Sequence, residues 1–154
     1  MKVWLRRATE KDEGFVLSIE NELLQRAASF RKTPISAEEH ARWFKEKMED
    51  PDCAIFVVRA SQAPAGSAAD AGVLRLYRAG EEAVLSVGVT ESLQGMGIGT
   101  LAIRGGLAAS IDLWGCDKVV AFVGAENKAS RRAFEKAGFK AWGSAERGWQ
   151  EMRC

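Results

Sequence analysis

The chain has 154 residues, 47% of them hydrophobic and 28% charged, with a net charge of +1 at pH 7. That length and apolar content suit a single domain over residues 1–154 and exclude a disordered chain. The balanced charge leaves no electrostatic footprint for nucleic acid, and no apolar run is long enough to span a bilayer.

The first strand is expected at Val3 to Ala8, with Thr9 capping the helix that follows. Phe15, Ile19 and Leu23 recur every fourth residue with Val16 beside them, which marks one buried helical face. "SFRKTP" (Ser29 to Pro34) breaks that pattern. Ser36 then opens a capping box with Glu39, and a second helix runs to Asp50 with Trp43, Phe44 and Met48 inward. Pro51 ends it. "AIFVVRA" (Ala54 to Ala60) reads as a buried strand, "SQAPAGSAAD" as a loop, and Ala71 to Tyr77 as the next strand. A tight turn in "RAGEE" returns the chain through Ala83 to Val89, which completes an antiparallel meander.

Gly97 to Leu113 reads as a helix whose buried face is Ile98, Leu101, Ala102, Gly105 and Ala108. Lys118 to Val123 has the continuous apolar character of a central parallel strand. Asn127 to Phe139 is a helix stopped at Gly138, and two strands, Lys140 to Ala145 and Gly148 to Cys154, finish the chain. The strand–helix–strand from Ala83 to Val123 is a right-handed crossover. The fold class is therefore α/β (α+β), a mixed central sheet of about seven strands with helices on both faces.

The opening "MKVWLRRATEKDE" lacks the apolar centre of a secretory signal. Cys53, Cys116 and Cys154 are far apart and His40 is the one histidine, so no metal site is expected. Reduced thiols and a cytoplasmic location follow from the same cysteine usage.

The junction "QGMGIGT" (Gln94 to Thr100) carries the chemistry. A helix start leaves N–H groups unpaired and bears partial positive charge, and Gly95, Gly97 and Gly99 keep side chains off those donors. The combination makes an anion cradle suited to phosphate. A dinucleotide fingerprint fails because Thr100 stands where its third glycine belongs, and an ATP or GTP loop fails for want of its lysine. A glycine-rich turn that merely packs tightly is the plainer alternative.

"Gln94-Gly95-Met96-Gly97-Ile98-Gly99" resembles the Q/R-x-x-G-x-G/A signature of the GNAT acyl-CoA N-acyltransferase superfamily. "NKASRRAFEKAGF" (Asn127 to Phe139) resembles the N-x-x-S-x-x-x-[YF]-E-K-x-G-F segment of the same family. The resemblance covers nearly the whole element order. It implies a sheet splayed between its fourth and fifth strands and acetyl-CoA as co-substrate. The cofactor-binding set it implies is Val87, Val89, Gln94, Gly95, Met96, Gly97, Ile98, Gly99, Thr100, Asn127, Ser130 and Phe134. In it the cradle takes the pyrophosphate, Val87 and Val89 pair with the pantetheine arm, and Gly88 is the expected place for a bulge.

The implied reaction is acetyl transfer to a primary amine. Backbone N–H at Val89 is the expected oxyanion donor and Ser130 a proton donor to the leaving thiolate. Phe134 stands where relatives often carry tyrosine, and "AVLSVGV" lacks the strand glutamate many of them use as a base. Glu82, Glu91 and His40 are the remaining candidates, with Glu91 beside the cradle and Glu20, Asn21 and Arg26 near the acceptor.

"LRRATEKDEGFVLSIEN" and "ISAEEHARWFKEKMEDPDCAIFVV" look like acetyltransferases that modify nucleotide-linked amino sugars in bacterial surface-glycan pathways, the pseudaminic-acid route among them. The same segments overlap with ribosomal-protein N-terminal acetyltransferases. A small-molecule amine such as a nucleotide-linked amino sugar is the expected acceptor. A protein N-terminus and a non-catalytic acyl-CoA-binding module stand as alternatives. A homodimer paired near Trp142 and Trp149 is a further expectation, as relatives often dimerise.

Overall fold

The computed structural model describes residues 1–25, 34–62 and 67–154, without the side chains of 23–25. Ser29 to Thr33 of the expected break and part of the loop after Ser61 lie outside the described residues, as do Arg26 and the side chain of Leu23.

The strands are β1 (Lys2–Arg7), β2 (Cys53–Ser61), β3 (Ala69–Ala79), β4 (Glu82–Val89), β5 (Lys118–Gly124), β6 (Lys140–Glu146) and β7 (Trp149–Arg153). The helices are α1 (Glu13–Gln25), α2 (Ala37–Glu49), α3 (Ile98–Trp114) and α4 (Lys128–Lys136). One seven-stranded sheet runs β1-β2-β3-β4-β5-β7-β6. Every pair is antiparallel except β4 with β5, which the α3 crossover makes parallel.

Alternation along the strands splits the core in two. Leu74, Leu76, Leu85, Val119 and Ala121 turn to the face carrying α3 and α4, where Ile98, Ile103 and Phe134 meet them. Ile55, Val57 and Val73 turn to the other face, against Val16 and Ile19 of α1 and Phe44 of α2.

Local chemistry starts and stops these elements as the sequence suggests. Glu39 N–H donates to Ser36 Oγ at 3.2 Å, which fixes the start of α2. Before α1 a 3-10 turn intervenes at Glu10–Asp12, and the Thr9 N–H donates to Asp12 Oδ2 at 2.7 Å. Arg6 grips the same carboxylate through two bonds of 3.0 and 2.9 Å.

The Arg6 hydrogen bond, with the Thr9 N–H, holds the Asp12 carboxyl at about 2, below its ordinary 3.8. A depressed carboxyl pKa adds stability that is complete above the ordinary value and fades as pH falls toward the folded one. Asp12→Asn should therefore cost roughly 1–2 kcal/mol at pH 7. The deficit should shrink between pH 4 and pH 2, the window bounded by 3.8 and about 2. Urea titrations at several pH values check this; a deficit that does not change with pH would contradict it.

Three expectations are corrected. The buried face of α3 is Ile98, Ala102, Ile103, Gly106 and Ser110, while Leu101 and Ala108 face solvent. The helix is apolar nearly all round, so periodicity does not select its inner side. Gly106 does: a Cβ there would stand 2.7 Å from Leu85 Cδ1, so the helix seats on the sheet at that point. The β3–β4 register is regular through Gly88, and the register shifts instead between Val58 and Arg59 and between Trp142 and Glu146. Lastly, β5 is not covered on both sides. Phe122 is 48% exposed because α1 and α2 pack mainly over β2 to β4.

Candidate functional site

β4 and β5 pair in register only at Glu82, Ala83 and Val84. Beyond Val84 they separate, and β5 continues against β7 alone. Thr90 N–H donates to Ala71 O at 2.8 Å, so Thr90 turns its main chain toward β3. Alternation in an antiparallel ladder then directs the main-chain groups of Val87 and Val89 away from β3, into the gap.

The chain leaves β4 through Thr90 and a 3-10 turn at Glu91–Leu93. Gln94 Nε2 ties back to the Val89 carbonyl at 3.2 Å. Gly95 and Gly97 take φ of 78° and 83°, the left-handed region that favours glycine. α3 starts at once: its first intrahelical bond, Leu101 N–H to Gly97 O, leaves the N–H groups of Ile98, Gly99 and Thr100 ahead of it. A Cβ on Gly95 or Gly97 would meet no protein atom within 4 Å, so the space above them is open to a ligand.

A cavity of about 300 Å³ fills the gap and the cradle together. Of the residues expected to bind the co-substrate, Val87, Val89, Gln94, Gly95, Gly97, Ile98, Gly99, Thr100, Asn127 and Ser130 line it. Asn127 also caps α4, its Oδ1 accepting from Ser130 N–H at 3.1 Å.

Two expected residues do not line the cavity. Met96 sits outside it on the turn, where its sulfur accepts from Gln62 Nε2 at 3.8 Å. Phe134 is 3% exposed and packs edge-on against Phe139 at 5.0 Å, as a core residue of α4.

Arg132 and Lys136 line the cavity and were not anticipated. They are i, i+4 on α4 and share its cavity side with Ala129 and Ala133. Plotting "NKASRRAFEK" on a helix from Asn127 and Ser130 would have found them. A diphosphate fits what is present: N–H donors at a helix start, open space above two glycines, and two cations alongside.

Of the catalytic candidates, Val89 and Ser130 line this one cavity, and the remaining candidates lie away from it. Glu82 stands at the closed end of the gap, where Arg153 binds it at 3.1 Å. That is roughly 23 Å along the strand from Val89, at about 3.3 Å per residue. Glu91 is exposed on the 3-10 turn. Ser86, inside β4, faces α1 and α2, and its Oγ accepts from Arg75 Nε at 3.3 Å.

His40 lines a second cavity of about 200 Å³, with Glu20, Ile35, Glu39, Trp43 and Arg75. Arg75 joins this cavity to β4. It holds Glu20 at 3.3 Å, donates to Ser86 and to the Tyr77 hydroxyl, and lies 5.2 Å from the Trp43 ring centre. Asn21 is not among the lining residues but binds one of them, accepting from Ile35 N–H at 3.0 Å. Burial pushes the His40 imidazole pKa down and Arg75 adds to this, while Glu20 and Glu13 act against it. The Tyr77 phenol is pushed up by burial.

Residues 2–140 match the description "Acetyltransferase (GNAT) domain". The chain belongs to the GNAT acetyltransferase family. It is an acetyl-CoA-dependent N-acetyltransferase. No curated protein matches it by sequence. Among solved structures, this GNAT chain is similar to a domain from Methanocaldococcus jannaschii, with TM-score 0.85, 18% identity, and coverage of 99% of this chain and 97% of that one. It is similar to a Vibrio cholerae spermidine N-acetyltransferase in complex with CoA and spermine, with TM-score 0.80, 20% identity, and coverage of 98% and 92%. A Brucella melitensis ribosomal-protein-alanine N-acetyltransferase gives TM-score 0.76, 22% identity, and coverage of 100% and 99%. At such identities these likenesses show the fold. Among the described residues no helix is long and apolar enough to cross a membrane.

Proposed function

We propose that the chain transfers the acetyl group to the primary amine of a small molecule, and in the narrower reading to an amino sugar carried on a nucleotide. The observation that supports this is the second cavity. At about 200 Å³ it is smaller than the ~300–1,000 Å³ typical of sites for drug-sized ligands. It has room for the amine-bearing end of an acceptor, one ring or one short chain, and a carrier would lie outside it.

The co-substrate supplies an acetyl thioester. The N–H groups of Ile98, Gly99 and Thr100 grip the diphosphate, with Arg132 and Lys136 beside them. Val87 and Val89 hold the arm as an added strand would be held, and Asn127 and Ser130 flank it from α4. The N–H of Val89 faces the charge that develops on the carbonyl oxygen.

Proton handling decides which amine suits this site. An alkyl ammonium with a pKa near that of lysine costs about 4–5 kcal/mol to deprotonate at pH 7. No carboxylate stands in β4 from Ala83 to Val89 to help. An amine made less basic by neighbouring electron-withdrawing groups, as on a sugar ring, needs less help. The departing thiolate, with a pKa near 8.5, leaves with modest assistance, and Ser130 is the hydroxyl on hand.

The test is thiol release from acetyl-CoA by purified protein with nucleotide-linked amino sugars, polyamines and N-terminal peptides in turn. Turnover is expected on the small amines, with the amino sugars fastest. Turnover confined to peptides would refute the small-molecule reading.

A further inference from the structure

Glu20 of α1 lines the second cavity beside Trp43 of α2 and Arg75 of β3. Its side chain is 16% exposed, and its only partner among the described residues is Arg75, whose Nη2 stands 3.3 Å from Oε1. Oε2 accepts no hydrogen bond from the described residues and is open rather than sealed in the protein. His40 lines the same cavity, but both its ring nitrogens are buried.

Arg75 holds the carboxylate and is itself locked. Its Nε binds Ser86, its Nη1 binds Tyr77, its Nη2 faces Glu20, and the guanidinium lies over the Trp43 ring. What the cavity offers a ligand is therefore an open carboxylate oxygen on a fixed support. The field at this wall is that of the carboxylates: Glu20 and Glu13 act on the His40 ring more strongly than Arg75 does. An ionised carboxylate accepts hydrogen bonds and donates none, and a bond from a charged donor is about twice as strong as one from a neutral donor. The fitting group is an ammonium.

We propose that Glu20 is the recognition residue for the acceptor's amine, taking it from solvent as the ammonium through Oε2. This rests on the acceptor reading above and deepens it. Arg75 is the positioning residue that keeps the carboxylate turned to the cavity. Glu20 acts at the binding step, before the nitrogen loses its proton and attacks.

The experiment uses two probes of one ring shape, cyclohexylamine and cyclohexanol, which present an ammonium and a hydroxyl. Their Kd values are measured by ligand-observed NMR on wild type, Glu20→Gln and Glu20→Asp, each saturated with coenzyme A. Wild type should bind cyclohexylamine at least ~10-fold tighter than cyclohexanol, the gain of a charge-assisted bond over a neutral one. Glu20→Gln should bring the two within about twofold by weakening cyclohexylamine alone. Glu20→Asp keeps the charge on a shorter stem and should retain part of the preference. In turnover, Glu20→Gln should raise the KM for glucosamine and for spermidine at least ~10-fold and leave the KM for acetyl-CoA unchanged.

A preference that survives Glu20→Gln, an equal loss on both probes, or binding of neither probe to wild type would overturn the assignment and leave Glu20 a counter-ion for Arg75. Turnover of small amines would in that case keep the acceptor reading standing. Thiol release on no amine, or on peptides alone, would sink the acceptor reading and this inference with it. Should Glu20→Gln not fold, the wild-type preference and its reduction in Glu20→Asp decide.

Discussion

A Gly97→Val protein is expected to fold and to lose its response to coenzyme A. Gly97 has φ 83°, so a β-branched residue there carries a backbone penalty of about 1–2 kcal/mol. Nothing in the protein lies within 4 Å of where its Cβ would stand, so packing adds nothing to that penalty. For a chain of this length the Tm should fall by roughly 2–8 °C. The ligand pays a different toll, because the isopropyl group occupies the open space above the α3 amides.

Wild type at a hundredfold excess over Kd should gain about 2.7 kcal/mol from coenzyme A. In Gly97→Val that gain should vanish, and the KM for acetyl-CoA should rise by about a hundredfold, on the order of 2.7 kcal/mol of lost binding. Gly80→Val is the control. Its φ is 65° with the same open surroundings, but it lies in the β3–β4 hairpin, away from the cavity. It should lose similar stability and keep the full coenzyme A shift. If both variants keep the shift, the anion is held somewhere other than the start of α3.

The contrast between those two glycines shows what was legible in the sequence. Gly80 reads as a turn residue and Gly97 as part of a cradle because of what flanks them: two strands in one case, a strand and a helix in the other. Spacing in "QGMGIG" and "NKASRRAFEKAGF" pointed to most of the lining of the first cavity, since both motifs place backbone at the open end of one gap. The element order was readable for the same reason, being written in caps, turns and local periodicity.

What stayed hidden depends on contacts between distant segments. The inner side of α3 is chosen by Leu74 and Leu85 beneath Gly106, and an all-round apolar helix carries no mark of it. Phe122 belongs to a continuous apolar run, yet its face of β5 is left bare by helices more than seventy residues earlier in the chain, at Glu13–Gln25 and Ala37–Glu49. Phe134 matches a family position by sequence, but its side chain packs on Phe139. The second cavity assembles Glu20 from α1, His40 and Trp43 from α2 and Arg75 from β3, and no local spacing links these three elements. Arg75 joins them because its strand register sets it opposite Ser86.

Gly72→Ala should couple a loss of stability to a loss of coenzyme A affinity. Gly72 pairs with Val89 across β3 and β4. A Cβ on Gly72 would overlap the carbonyl of Gly88 and stand 3.1 Å from the Cα of Val89. Both obstacles are backbone, so no side-chain rotation relieves them. The added methyl must push β4 away from β3, and beyond Val84 no β5 pairing resists that movement. Overpacking of this kind costs about 1–3 kcal/mol.

The segment displaced is the one whose Val87 and Val89 main-chain groups face the gap, so the Kd for coenzyme A should rise at least ~10-fold, or 1.4 kcal/mol. Gly106→Ala separates the two effects. Its Cβ would crowd Leu85 Cδ1 at 2.7 Å and Leu74 Cδ1 at 3.0 Å, the far ends of side chains under α3. It should destabilise the fold comparably, because those leucines must shift within a packed core, yet leave coenzyme A affinity within about twofold, well under the 1.4 kcal/mol of a tenfold change. Calorimetric Kd values beside urea unfolding on the three proteins decide the matter. A Gly72→Ala protein with unchanged Kd would mean that the gap does not depend on the close approach of β3 to β4, and that the arm is held from the α4 side alone.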